Sequence, residues 1–293
     1  MSREPAPERL FKYVTGPTAK AVLTNQTLRW SRRAPFNDPH DLQVGFSTAV
    51  PLEEVRDRAL DLMWDRVICR NWTWPRNQMG ALLEATRAAM LKYGRLGFRE
   101  AMAAGLEPSI RTFPNIVERF SADVIKHFET IKVLCLSPMN DNAAMWAYYA
   151  DDHRGLVLEF ATIPELDSVY RVAQRVTYAD EPPPLLEPEA WAQLLAGNIR
   201  LDTKLADRLM LIKHTHWAHE REWRIVTGEG RFPNEVFEDI RFGAPELVGV
   251  YFGVRAERWC AELMPLIRAR YPDAKLWQAE KGMSFGLKFS PIE

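Results

Sequence analysis

The sequence has little cysteine, no long apolar run and almost no net charge, and each shortage excludes something. Its three cysteines, Cys69, Cys135 and Cys260, are far apart and odd in number across 293 residues. That is no disulfide framework; it suits a reducing compartment and buried thiols. No stretch is apolar over the length needed to cross a bilayer. Met1 to Glu8 lacks the apolar run of a secretory signal. A cytoplasmic chain without membrane contact is therefore expected. The formal charge of −1 argues against a surface that coats nucleic acid or anionic lipid as a whole. With no glycine-rich phosphate loop, neither a Rossmann nor a P-loop nucleotide site is expected. Internal repeats and low-complexity tracts are absent, and nothing speaks to oligomeric state.

What is present is core material. Apolar residues at 47% and charged residues at 26% are close to the globular average, enough for one large domain or two modest ones. Residues 10–14 and 27–31 read as strands, separated by a short helix that starts near Gly16 with Thr15 or Thr18 as its cap. Residues 34–39, rich in proline with an Asn-Asp pair, form a loop. From 51 to 130 the apolar spacing is helical (Val55, Ala59, Leu62, Met63, Val67, then Val117, Phe120, Val124, Phe128). Strand-like sequence brackets this block, so it reads as a helical insertion in a single domain spanning 1–293. Strands are expected at 131–137, 156–160, 169–178, 222–226, 247–252 and around Leu276 and Leu287. Helices are expected at 145–150, over a long amphipathic stretch from Trp191 to Ile212, and at 256–270. Strands and helices mix without regular alternation, which favours α+β.

Three segments carry the polar and aromatic residues that chemistry needs. The first joins Phe11-Lys12-Tyr13 with Phe36-Asn37-Asp38-Pro39. The second is Cys135-Leu136-Ser137, then Met145-Trp146-Ala147-Tyr148-Tyr149-Ala150, His153 and Gly155. The third holds Lys213, Trp217, Glu220, Glu222, Trp223 and Arg224. Each has a plainer reading. Glu222 and Arg224 share a strand face and can be a surface ion pair; Glu220 can be a solvated carboxylate. Trp146 and Tyr149 at i, i+3 can be core. Lys12 and Tyr13 point to opposite strand faces, so at most one is expected in a given site. Asn37 and Asp38 can serve only a turn, and His153 a helix end. His214, His216 and His219 lack the spacing of a metal motif, and no metal is expected. Arg66, Arg70, Trp72, Trp74 and Arg76 interleave as in a single-strand nucleic-acid surface or as a helix end with partly buried tryptophans.

The order of these motifs from about Leu10 onward resembles a widespread bacterial family known only as a domain of unknown function, with the helical block as the variable part. Asn37, Asp38, His153 and Trp217 belong to that pattern. In outline the chain is also similar to ADP-ribosyltransferase folds. That resemblance implies a central split mixed β-sheet and NAD+ as co-substrate. It places Lys12 and Tyr13 in the first motif, Ser137 with Trp146 and Tyr149 in the second, and a catalytic carboxylate, Glu222 ahead of Glu220, in the third. Arg224 or Lys12 would hold the pyrophosphate, and the acceptor would be nucleic acid or protein. Lys12 stands where a His or Arg is usual, and there is no Ser-Thr-Ser. The alternative is a non-catalytic binding or interaction module whose motifs are structural.

Overall fold

The computed structural model describes residues 4–32, 38, 40–42, 46–47, 49–69, 71, 73–74, 76–198, 210–283 and 286–293. Among them the helices are α1 (Gly16–Asn25), α2 (Leu52–Ile68), α3 (Gln78–His127), α4 (Ala143–Tyr149), α5 (Pro188–Leu195) and α6 (Glu257–Arg270). The strands are β1 (Arg9–Val14), β2 (Thr27–Ser31), β3 (Val133–Leu136), β4 (Leu156–Ala161), β5 (Gln174–Arg175) and β6 (Thr177–Ala179). They continue with β7 (Ile212–His214), β8 (Trp223–Val226), β9 (Phe237–Arg241), β10 (Leu247–Phe252), β11 (Lys275–Lys281) and β12 (Leu287–Pro291). The fold is α+β. No described helix is long and apolar enough to cross a membrane.

Two compact units are present. One comprises Met1–Gln43, Phe128–Asp180 and Met210–Glu293; the other comprises Val44–His127 and Glu181–Leu209. The second unit is helical. Val55, Ala59, Met63 and Val67 of α2 are buried, and Met63 and Val67 pack with Leu83, Phe98 and Met102 of α3. The long α3 breaks at Gly94, whose φ of 71° lies in the left-handed region. Arg66 is buried and donates to the Ala196 carbonyl. Trp74 packs against this unit's core. Of the two readings of the Arg–Trp cluster, Arg66 and Trp74 fit the helix end with partly buried tryptophans; Arg70 and Trp72 lie outside the described residues.

The first unit holds the strands. One sheet has the order β1-β4-β10-β11-β12, antiparallel except for the β10–β11 pair. A second has the order β5-β8-β3-β2-β9 and is antiparallel throughout. A parallel pair, β6-β7, stands apart. Leu10, Leu158, Phe160, Val250 and Phe252 of the first sheet pack on Leu263 and Ile267 of α6, a buried face that alternates along each strand. Thr15 caps α1, accepting from the Thr18 amide, and the left-handed Gln26 (φ 55°) ends it.

Several expectations are corrected here. The segments of Tyr13, Ser137 and Glu222 do not belong to one sheet: Tyr13 lies in β1, while Ser137 follows β3 and Glu222 precedes β8. β1 is the edge of the first sheet, while β3 and β8 are neighbours in the second. The two sheets share one hydrophobic core and are joined by a backbone bridge, Phe11 N–H to Ser137 O at 2.7 Å and Ser137 N–H to Phe11 O at 2.9 Å. Residues 169–178 are not one strand: Val169–Val172 is a 3₁₀ turn that sinks Tyr170 into the core, and only the short β5 and β6 follow. The helix beginning near Trp191 stops at Leu195, because Gly197 turns left-handed (φ 84°), and Ile212 belongs to a strand. Residues 199–209, with Leu205 and Leu209, are outside the described residues. Cys69 is exposed, and Cys135 and Cys260 are only half-buried.

Gly155 is required by packing. A Cβ on Gly155 would stand 2.2 Å from the Val14 carbonyl oxygen and 2.9 Å from that of Ala150. Both neighbours are backbone, which cannot swing aside. Gly155→Ala is expected to cost about 1–3 kcal/mol, read as a lower urea midpoint with an unchanged slope.

Candidate functional site

The bridge between the sheets positions a cleft. β1 pairs along one edge with β4, and on its other side it is bridged to the second sheet at Phe11–Ser137 and held there again by Lys12 on the Cys135 carbonyl. A cavity of ≈ 240 Å³ opens there. Phe11, Lys12 and Tyr13 come from β1, Cys135 and Leu136 from β3, and Met145 and Tyr149 from α4. Lys213 comes from β7, Glu220 and Glu222 from the segment leading into β8, and Asp38 and Asp41 from the loop after β2.

The floor of the cleft is a chain of buried charges. Arg224 donates from Nε to Glu222 Oε1 (2.7 Å) and from Nη2 to Glu222 Oε2 (3.0 Å) and to Asp41 Oδ1 and Oδ2 (2.7 and 2.6 Å). Its Nη1 donates to the Met210 carbonyl. The Lys213 ammonium sits among three carboxylates, 2.6 Å from Glu220, 3.1 Å from Glu222 and 3.3 Å from Asp41. At the cleft end of the chain, the Tyr149 hydroxyl donates to Glu220 Oε1 at 2.6 Å. The Glu222 amide donates to the Tyr178 hydroxyl (2.8 Å), which fixes where β8 begins.

Electrostatics follow from this wiring. Burial would lift the Glu222 carboxyl, but Arg224 and Lys213 outweigh it and hold it below the usual carboxylate range. Asp41 is pushed up, burial and the Glu222 charge prevailing over Arg224 and Lys213. Burial would also strip Lys213 of its proton; the charges of Glu222, Asp41 and Glu220 raise it instead, so it stays an ammonium. Burial, then the neighbouring Glu220 charge, raise Tyr149, so it remains a hydroxyl donor. Burial raises the Cys135 thiol as well, which leaves it protonated and a poor nucleophile.

The sequence-derived residues divide into those that meet at the cleft and those that do not. Lys12 and Tyr13 both line it, against the expectation that only one would, because the cleft wraps around an edge strand and reaches both faces. Lys12 donates to the Cys135 carbonyl (2.8 Å), and the Tyr13 hydroxyl donates to that of Met139 (2.9 Å). Tyr149, Glu220, Glu222 and Asp38 line it too. Asp38 also caps a turn, accepting from the His40 amide (2.9 Å). Ser137 is buried behind the cleft and donates to the Glu220 carbonyl (2.9 Å), which makes it a support rather than a wall. Trp146 is corrected to core: it is 0% exposed, donates to the Asn140 carbonyl and meets Tyr13 edge to face. Arg224 is likewise 0% exposed with all three nitrogens engaged, so it is not free to bind a phosphate. His153, left-handed at φ 65°, stacks on Trp146 away from the cleft wall. Trp217 lies against the Lys213 ammonium, 4.9 Å from ring centre to nitrogen. Asn37 lies outside the described residues. Among the described residues no group of His, Cys, Asp and Glu is placed to hold a metal.

Two charged cleft residues, Lys213 and Asp41, have no site role in the sequence reading. Lys213 stands in the third motif, and its spacing to Glu220 gave a usable signal. Asp41 gave none; its partner Arg224 is 183 residues away.

The family described as "protein of unknown function (DUF2971)" matches residues 145–225. That span runs from within α4 to within β8 and includes Tyr149, Lys213, Glu220, Glu222 and Arg224. It leaves out β1 and Asp41, so the match is narrower than the motif order running from Leu10. No curated protein and no solved structure matches the chain.

Proposed function

We propose that the cleft binds NAD+ and breaks its nicotinamide–ribose bond, passing ADP-ribose to a nucleic-acid or protein acceptor. The charge of the cleft floor carries this reading. Three carboxylates, Asp41, Glu220 and Glu222, face two cations, Lys213 and Arg224. With the acids ionised this leaves one negative charge beneath aromatic walls. Cleavage of an N-glycosidic bond passes through an oxocarbenium-like state, and a preorganised negative floor stabilises that state more than it does the ground state.

Roles follow from the contacts. Glu220 is the reacting carboxylate: the Tyr149 hydroxyl and the Lys213 ammonium each donate to one of its oxygens and orient it. Glu222, with both oxygens on the Arg224 fork, is the support. Phe11 and Tyr13 offer ring surface to nicotinamide. Lys12 uses one ammonium hydrogen on the Cys135 carbonyl and keeps two for a phosphate oxygen. In the reaction the bond between ribose C1′ and the nicotinamide nitrogen breaks, and its electron pair leaves with neutral nicotinamide. An acceptor oxygen or nitrogen bonds to C1′, and the acceptor's proton passes to Glu220.

A non-catalytic binding module is the second reading, favoured by the closure of the Arg224–Glu222–Asp41 cluster on itself. Thermal shift with NAD+ followed by chromatography of released nicotinamide separates the two. NAD+ at 100 times its Kd is expected to add about 2.7 kcal/mol to stability. Nicotinamide release with a cell nucleic-acid or protein pool supports the enzyme. Binding without release under any pool supports the module, and neither binding nor release removes the NAD+ reading.

A further inference from the structure

Beside the cleft stands an aromatic pair to which the reading above gives no role. Tyr148 is 66% exposed, although Met145 and Trp146 of the same helix are buried. Its ring meets Trp217 edge to face, with centroids 6.5 Å apart. The Lys213 ammonium that touches Glu220 also lies over the Trp217 ring. Each element of the Tyr149–Glu220 pair therefore also carries one ring of this second pair. Tyr148 precedes Tyr149 on α4, and Trp217 comes three residues before Glu220 in the turn Thr215–Glu220.

We propose that Tyr148, buttressed by Trp217, is a stacking surface for a nucleobase ring bound at the mouth of the cleft. A tyrosine ring held at its edge has little freedom to lose on stacking, and it offers a flat apolar face that any base can cover. An arginine side chain from a protein partner is the competing planar group. Lys213 already covers the Trp217 ring, so a guanidinium would meet only the Tyr148 face and would give up hydration to stack there, which a neutral base ring does not. The base has two sources, the adenine of NAD+ or a base of a nucleic-acid acceptor. Only the first source rests on the NAD+ reading.

The full chain, Tyr148→Ser and Tyr148→Phe would each be titrated by calorimetry. The ligands are NAD+, nicotinamide mononucleotide, which lacks adenine, and single-stranded oligodeoxyadenylate. Tyr148→Ser is expected to weaken a base-bearing ligand by about tenfold, Tyr148→Phe to retain it, and the mononucleotide to bind all three forms alike. A loss confined to NAD+ assigns the adenine, and a loss confined to the oligonucleotide assigns an acceptor base. A loss seen with both ligands supports the surface for either source. Equal affinity of Tyr148→Ser and wild type for both ligands overturns the proposal. So does a wild type that binds neither, or a mononucleotide weakened as much as NAD+. Oligonucleotide binding through Tyr148 without binding of NAD+ or the mononucleotide would remove the NAD+ reading and keep this one.

Discussion

Glu220→Gln is expected to keep the fold and the affinity for NAD+ while slowing nicotinamide release by about 100-fold or more. The substitution is nearly isosteric. Its amide oxygen can face the Lys213 ammonium and its amide nitrogen can face the Tyr149 oxygen, so both neighbours keep a partner. Lys213 also retains Glu222 and Asp41 at 3.1 and 3.3 Å. What disappears is one negative charge from a floor whose net charge, with the acids ionised, is a single negative unit, at the carboxylate that accepts from Tyr149. The loss therefore falls on the state in which ribose becomes cationic, and binding of the ground state is spared. Steady-state release of nicotinamide, with NAD+ affinity measured separately by calorimetry, checks this. An unchanged rate would remove Glu220 from the chemistry. A matched loss of affinity and rate would mean that the carboxylate holds substrate without favouring its cleavage.

How much of this site was legible depends on the range over which each feature is encoded. Local patterns were. β1, β2, β4, β8 and β10 alternate or run apolar over a few residues, and Thr15 before Gly16-Pro17 marks the start of α1. Tyr149, Glu220 and Glu222 stood out because aromatic and acidic residues sit beside strand-like sequence. The errors arose where a distant contact decides the outcome. Trp146 and Tyr149 are chemically alike at i, i+3, and only packing against Tyr13 and Val157 makes the first core and leaves the second at the cleft. Arg224 reads as a phosphate ligand until Asp41 is brought beside it. Lys12 and Tyr13 looked exclusive because strand alternation assumes a flat sheet with two separate faces, whereas an edge strand at the junction of two sheets serves one gap with both. The long helix through Ile212 followed apolar periodicity across Gly197, a break visible in sequence yet outweighed by the pattern around it.

Arg224→Met is expected to destabilise the first unit by about 3–5 kcal/mol. The side chain is fully buried and holds both oxygens of Glu222 and both of Asp41. Methionine fills much of the volume and supplies no charge, so Asp41 and Glu222 are left to share the Lys213 ammonium with Glu220. Arg224→Lys keeps the charge but not the fork, and should recover only part of the loss. The same variant should change the response to acid. Glu222 titrates at about 2 in the folded protein, below its unfolded value of about 4.3. Its contribution is therefore fully present above pH 4.3 and is lost as pH falls toward 2. Asp41 is shifted the other way. Its contribution is present below its unfolded value of about 3.9 and fades as pH rises through its higher folded value. The Asp41 contribution opposes that of Glu222 on acidification, so the expected result is the difference: Arg224→Met, with Glu222 no longer held down by the guanidinium, should lose less stability than the wild type as pH falls below about 4.3. Urea unfolding followed by tryptophan fluorescence between pH 3 and 7, a range set around these carboxylate values, measures both effects. Equal acid slopes in the two proteins would mean that Arg224 is not what keeps Glu222 ionised.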